Sequence, residues 1–188
     1  MTNQISDLCE KYVFWAHDST NKDWSLNSFK RIHEFNSVND FWSIFNFFNK
    51  LNHKLFRYYL MNHLTAPVIS DVNNINGGSL SIRIETIKDN NRRNGGIDNN
   101  EQTKRMWSKA YELLLFLACN LVTNELCTNT DDINGISFNP KGNKIDIKIW
   151  NKLYNPLFKD TLKDNIILEL SKDKYNLIYQ KNEDIITN

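Results

Sequence analysis

Three tryptophans stand where a side chain could grip a ligand. Trp24 ends Lys22-Asp23-Trp24, Trp42 ends Asp40-Phe41-Trp42, and Trp150 closes the run Lys141-Gly142-Asn143-Lys144-Ile145-Asp146-Ile147-Lys148-Ile149-Trp150. An indole offers a broad π face that stacks on flat rings and attracts positive charge. Catalytic patterns are missing: His17, His33, His53 and His63 show neither His-Glu-x-x-His spacing nor a serine or cysteine nucleophile context. Cys9, Cys119 and Cys127 form no Cys-x-x-Cys pair. These residues point to recognition without an enzymatic step, and none calls for a metal or a cofactor.

Taken in order, the motifs resemble the translation initiation factor 4E family. They are Tyr12-Val13-Phe14-Trp15, Lys22-x-Trp24, Phe35-x-x-Val38-x-Asp40-Phe41-Trp42, Gly77-Gly78, and Ile133-Asn134-Gly135 followed by Gly142-Asn143-Lys144. The similarity spans roughly residues 11 to 180. It implies a protein that binds the 7-methylguanosine cap of messenger RNA in the concave side of a cupped sheet. It also implies recruitment of that messenger to a scaffold factor of the 4G type, or capture by a 4E-binding protein, through a Tyr-x-x-x-x-Leu-apolar helix. Methylation at N7 makes guanine cationic, so such a pocket wants aromatic faces, a carboxylate for the N1–H and N2–H donors, and cations for the triphosphate.

By resemblance, Trp24 supplies one face of the family's two-tryptophan sandwich; the alternative is a loop anchor. The second face is where the chain departs. The family has a Trp-Glu pair shortly after a proline, and here the run is Pro67-Val68-Ile69-Ser70-Asp71. Ile69 stands at the stacking position and Ser70 at the guanine-reading one. Asp71 takes that role if the loop shifts by one residue, or is a solvated loop acid. Tyr58, Tyr59 and His63 are candidates for a substitute face. For the phosphates, Asn139 replaces a family arginine, Lys144 keeps the second cation, and Lys141 is positioned to compensate. Trp150 resembles the tryptophan that touches the N7-methyl group, with Lys148 competing for that place and facing the same side by strand parity. Lys172 and Lys174 are secondary candidates for phosphate contact.

On the opposite face, Val38 and Trp42 match the family positions that receive the partner helix, and either Trp107 or Tyr111 aligns with a tryptophan of the second long helix. Ser6-Asp7-Leu8 replaces a His-Pro-type element there. A second reading follows from these departures: an interaction protein that has lost or altered cap binding and competes for the scaffold. A third is a pocket for a modified cap, motivated by Ile69 and Ser70.

The elements that must position these residues read as follows. Strands are expected at Tyr12–His17 and Phe29–Phe35, with Trp24 in the loop between, then at Leu55–Met61 and Ser79–Ile87. Ser37-Val38-Asn39-Asp40 starts a helix carrying Phe41, Trp42, Phe45 and Phe48 at helical spacing. A second helix spans Glu101–Val122. Two strands, Asn134–Asn139 and Lys144–Trp150, flank a turn at Pro140-Lys141-Gly142-Asn143. A third helix is expected over Leu153–Leu162 and a terminal hairpin from Ile166–Leu170 with Tyr175–Tyr179. Residues 88 to 100 read as a polar loop and residues 1 to 10 as a flexible tail. The implied class is α+β: one domain over residues 1–188, a curved antiparallel sheet with about three helices on its convex face.

Composition agrees. At 188 residues with 40% hydrophobic and 24% charged side chains, the chain suits one soluble globular domain. A net charge of +1 disfavours tracking a long nucleic-acid backbone and is compatible with holding an RNA end. No apolar run approaches the ~20 residues of a membrane span. The unpaired cysteines suggest a reducing cytoplasmic setting, the host's cytoplasm if the gene is viral.

Overall fold

The computed structural model describes residues 7–86, 99–173 and 175–186. Seven strands form one curved antiparallel sheet in the order β2-β1-β3-β5-β6-β4-β7. They are β1 Asp7–Asp18, β2 Phe29–Ser37, β3 Phe56–Asn62, β4 Gly78–Glu85, β5 Ile133–Lys141, β6 Lys144–Asn151 and β7 Asn176–Lys181. The helices are α1 Val38–Phe48, α2 Asn99–Val122, α3 Asp164–Lys172 and the short α4 Asn182–Ile186. None among the described residues is long and apolar enough to cross a membrane.

Period-two alternation sorts the strands into two faces. Leu80 and Ile82 of β4, Ile136 and Phe138 of β5, and Ile145, Ile147 and Ile149 of β6 are buried beneath the helices with Phe14, Tyr58 and Leu60. The intervening residues of β6, from Lys144 through Asp146 and Lys148 to Trp150, take the other face. A bulge in β2 breaks the simple alternation expected there. Arg31 pairs with Trp15 and His33 with Phe14, so the extra residue Ile32 reverses parity. Phe29 therefore joins a small cluster on the open face, while Phe35 packs under the helices.

The start of α1 is as the capping pattern requires. Ser37 Oγ accepts the Asp40 N–H at 3.1 Å and donates to the Asp40 carboxylate at 2.8 Å. Phe41, Phe45 and Phe48 then turn inward, and full burial of each such ring is worth about 1.5–3 kcal/mol. From α2, Met106, Ala110, Leu113, Leu117 and Leu121 meet them in the same core. The β5–β6 turn is tighter than the four-residue junction suggested: Lys141 pairs with Lys144, leaving Gly142-Asn143 as the loop. Gly142 has φ 62°, the left-handed conformation that a two-residue hairpin turn needs at its first position.

Three expectations need correction. Leu153–Leu162 holds no α-helix, only a 3-10 turn at Phe158–Thr161. Pro156 lacks an N–H and holds Asn155 out of helical geometry, and the Asn155 side chain accepts the Leu157 N–H at 3.0 Å. Ile166–Leu170 is helical: the spacing of four buries both ends of that segment, and Asp164 and Lys172 suit the two poles of the helix dipole. β7 consequently pairs with β4, with no hairpin partner before it. The expected tail is strand from Asp7 onward. Most of the expected polar loop, and Lys174, lie outside the described residues.

Candidate functional site

The open face of the sheet carries a cavity of about 630 Å³. One wall begins in the β1–β2 loop, which is shaped by two aspartates. Asp18 Oδ1 accepts the Thr20 N–H at 2.8 Å, and Asp23 Oδ1 accepts the Ser25 N–H at 2.8 Å. The Thr20 hydroxyl and N–H on Asp18, and the Ser25 N–H and hydroxyl on Asp23, hold both carboxyls below the usual range, and the loop presents Trp24, which is 49% exposed. The indole lies on the His17 imidazole, centroids 4.4 Å apart and planes 14° from parallel. His17 is itself buried, its Nε2 bonded to the Asp23 carbonyl at 2.9 Å. The Arg57 guanidinium carbon is 4.6 Å from the Trp24 ring centre.

The floor is a small aromatic cluster of Phe29, Tyr59 and Trp150 with Met61 and Val68. Trp150 is buried, donating from Nε1 to Ser137 Oγ at 3.0 Å. Burial pushes the Tyr59 phenol up to about 12. Beside this floor runs a charged row. Arg83 grips Asp146 through two bonds, Nε to Oδ1 at 2.7 Å and Nη2 to Oδ2 at 3.1 Å. Burial lowers the Lys148 ammonium, partly opposed by Asp146. Asn139 turns its amide back onto Ser137 Oγ, at 2.9 Å.

The remaining wall is the loop of residues 63–76, held by buried asparagines. Asn74 donates to the Ala66 and Val68 carbonyls, both at 2.8 Å. Asn134 on β5 donates to the Asn73 carbonyl at 2.6 Å and to Asn74 Oδ1 at 2.8 Å. Such a satisfied polar network fixes the loop without help from a ligand. Gly77 follows because a Cβ there would stand 1.8 Å from the Asn151 carbonyl oxygen.

Of the residues singled out in the sequence, the fold brings Trp24, Ile69, Ser70, Lys141 and Trp150 to this one cavity. Asp71 is not among its lining residues. Its Oδ2 accepts the Ala66 N–H at 3.0 Å and its Oδ1 the Asn73 N–H at 2.9 Å, which makes it a loop brace. Lys144 shares the face but lies beyond the lining, paired in register with Glu85. Among the suggested substitute faces, Tyr59 lines the cavity, whereas Tyr58 stacks on Phe14 in the helix-side core. Lys172 sits on α3 and pairs with Glu169 at 2.5 Å. The sequence reading overlooked Arg57 and the Arg83–Asp146 pair, although each shares strand parity with a residue already in view, Tyr59 and Lys148. Among the described residues no cluster of His, Cys, Asp or Glu is suited to hold a metal ion.

On the helix side, Val38 is half-buried and Trp42 is 40% exposed. Trp42 meets Phe41 edge-on at 5.3 Å. Trp107 and Tyr111 both border a cleft of about 670 Å³ at the far end of α1. Tyr111 donates to the Phe45 carbonyl at 2.8 Å.

Comparison with known proteins accounts for this architecture. By sequence, no curated protein matches. Among solved structures, C. elegans eIF4E-3, in complex with the 4E-binding protein Mextli, superposes with a TM-score of 0.74 at 19% identity, covering 96% of this chain and 95% of that one. Schistosome eIF4E, complexed with m7GpppG and 4E-BP, gives 0.71 at 15% identity, covering 98% and 93%. Ascaris suum eIF4E-3 with m7G cap gives 0.65 at 17% identity, covering 94% and 91%. At such identities the likeness is one of fold. The family itself follows from sequence: the pattern described as eukaryotic initiation factor 4E matches residues 7–188, so this chain belongs to the eukaryotic initiation factor 4E family.

Proposed function

We propose that this protein holds the capped 5′ end of messenger RNA in its concave cavity and a scaffold or 4E-binding-protein helix on its convex side, acting in the cytoplasm by recruitment without catalysis. The observation that carries the reading is Trp24, an exposed indole on a rigid imidazole platform, at the mouth of a cavity also lined by Arg57, Lys141 and Lys148. An aromatic face beside several cations suits a base joined to phosphates. Relatives of the same fold were solved with m7G cap, with m7GpppG and with 4E-binding proteins, which supports both surfaces. Ile69 is packed on the aromatic floor and supplies an aliphatic second wall. Lys141 and Lys148 are the proposed phosphate contacts, Lys144 an outer one. Val38 and Trp42 are the proposed anchors for the partner helix.

The test is titration with m7GpppG followed by intrinsic tryptophan fluorescence. Saturable quenching is expected, and Trp24→Ala should weaken it about 5- to 150-fold, the equivalent of one lost base–aromatic stack. Absence of saturation in the native protein would leave the second reading, an interaction protein acting through Trp42. The specific observation favouring that reading is the replacement of the family's stacking and guanine-reading pair by Ile69 and Ser70.

A further inference from the structure

We propose that Arg57 removes the cavity's preference for a positively charged base, so that the site grips a nucleotide 5′ end through its phosphates and one stacking face, methylated at N7 or not. This rests on the reading of the cavity as a nucleotide site and specifies the ligand class within it.

The argument begins with charge. A cationic base gains over a neutral one on indole because the ring's π face attracts positive charge. Here the Trp24 ring already meets a cation, the Arg57 guanidinium at 4.6 Å. The His17 imidazole already covers one face of that ring, so a cationic base must either displace the guanidinium or share the indole with it. Either way the gain from methylation is offset. The pairing that places Arg57 there is tertiary, since it stands opposite His17 across β1 and β3, and His17 is the platform beneath Trp24.

The rest of the cavity reinforces this. Lys148 and Lys141 add two further cations to the lining against one carboxylate, Asp146. That carboxylate has both oxygens on Arg83. The neighbouring acid, Asp71, has both oxygens on loop amides. Among the described lining residues, then, excess positive charge faces the ligand, which repels a cationic ring and attracts phosphate.

The experiment measures affinity for 7-methyl-GTP, GTP, the nucleoside 7-methylguanosine and inorganic tripolyphosphate, on the native protein and on Arg57→Gln and Arg57→Lys. The native protein should bind 7-methyl-GTP and GTP within about fivefold of each other, tripolyphosphate should compete, and the nucleoside should not. Arg57→Gln should weaken both nucleotides yet widen the methyl preference about 5- to 30-fold, the size of one released cation–π interaction. Arg57→Lys, which keeps the charge, should hold the native ratio.

A native preference for 7-methyl-GTP beyond about a hundredfold, some 2.7 kcal/mol by the affinity scale, overturns the inference and leaves the cap-binding reading standing. An unchanged ratio in Arg57→Gln does the same. If that variant does not fold, the native protein decides the matter through the nucleoside and tripolyphosphate arms alone. Failure of all four ligands to bind overturns both the inference and the reading beneath it.

Discussion

Replacing Asp71 separates a loop brace from a base reader. Asp71→Ala removes two acceptors, one for the Ala66 N–H and one for the Asn73 N–H. Each bond contributes about 1 kcal/mol at a half-exposed position, where solvent replaces part of what is lost. Together they amount to about 2 kcal/mol, which for a domain of this size lowers Tm by about 4–8 °C. Asp71→Asn keeps one acceptor oxygen and turns an amino group toward the other amide, so it should fall at least about half as far. Binding of m7GpppG should weaken less than about tenfold, or 1.4 kcal/mol, because Asn74 still ties the loop through the Ala66 and Val68 carbonyls. Thermal unfolding and fluorescence titration of the same samples provide the assay. An unchanged Tm with abolished binding would refute the reasoning and assign Asp71 to the guanine.

Trp42→Ala should weaken capture of a Tyr-x-x-x-x-Leu-apolar peptide at least about tenfold, as loss of an aromatic anchor does, and spare m7GpppG binding; loss of both would mark Trp42 as core. Asn134→Ala strands the Asn73 carbonyl and Asn74 Oδ1 and should cost about 2–4 kcal/mol in denaturant unfolding, with a loop more open to proteolysis. Lys148 supplies a pH signature. Its folded pKa lies below the ordinary lysine value through burial. Between that folded value and 10.5, the unfolded chain binds more protons, so the free protein gains stability as pH rises. Over the same window the ammonium is lost, and tripolyphosphate binding should weaken. Lys148→Met should flatten both trends; persistence of both in that variant would exclude Lys148 as their source.

Much of the scaffold was readable because its signals are local. The Ser37 cap, the phenylalanines of α1 and the β6 alternation each depend on neighbours within a turn or a strand, and all three hold. Misreadings arose where local signals compete. Ile166 and Ile167 suggested a strand, but the spacing from Ile166 to Leu170 governs because both pack into the core. Pro156 was visible and should have forbidden the helix over Leu153–Leu162. The bulge at Ile32 left no mark, since parity in β2 is set by its partner β1.

The candidate site divides along the same line. Trp24 and the glycine pair could be found as residue types at set spacings, because a loop indole and a backbone crossing without room for a Cβ each leave a chemical trace. Arg57 on the Trp24 ring and Asn134 clasping Asn74 arise between segments far apart in the chain, while His17 beneath Trp24 and Asp71 turned into its own loop depend on how each loop closes. Strand register and loop closure place them, and with them the charge a ligand would meet; neither is written in the order of residues around any one of them.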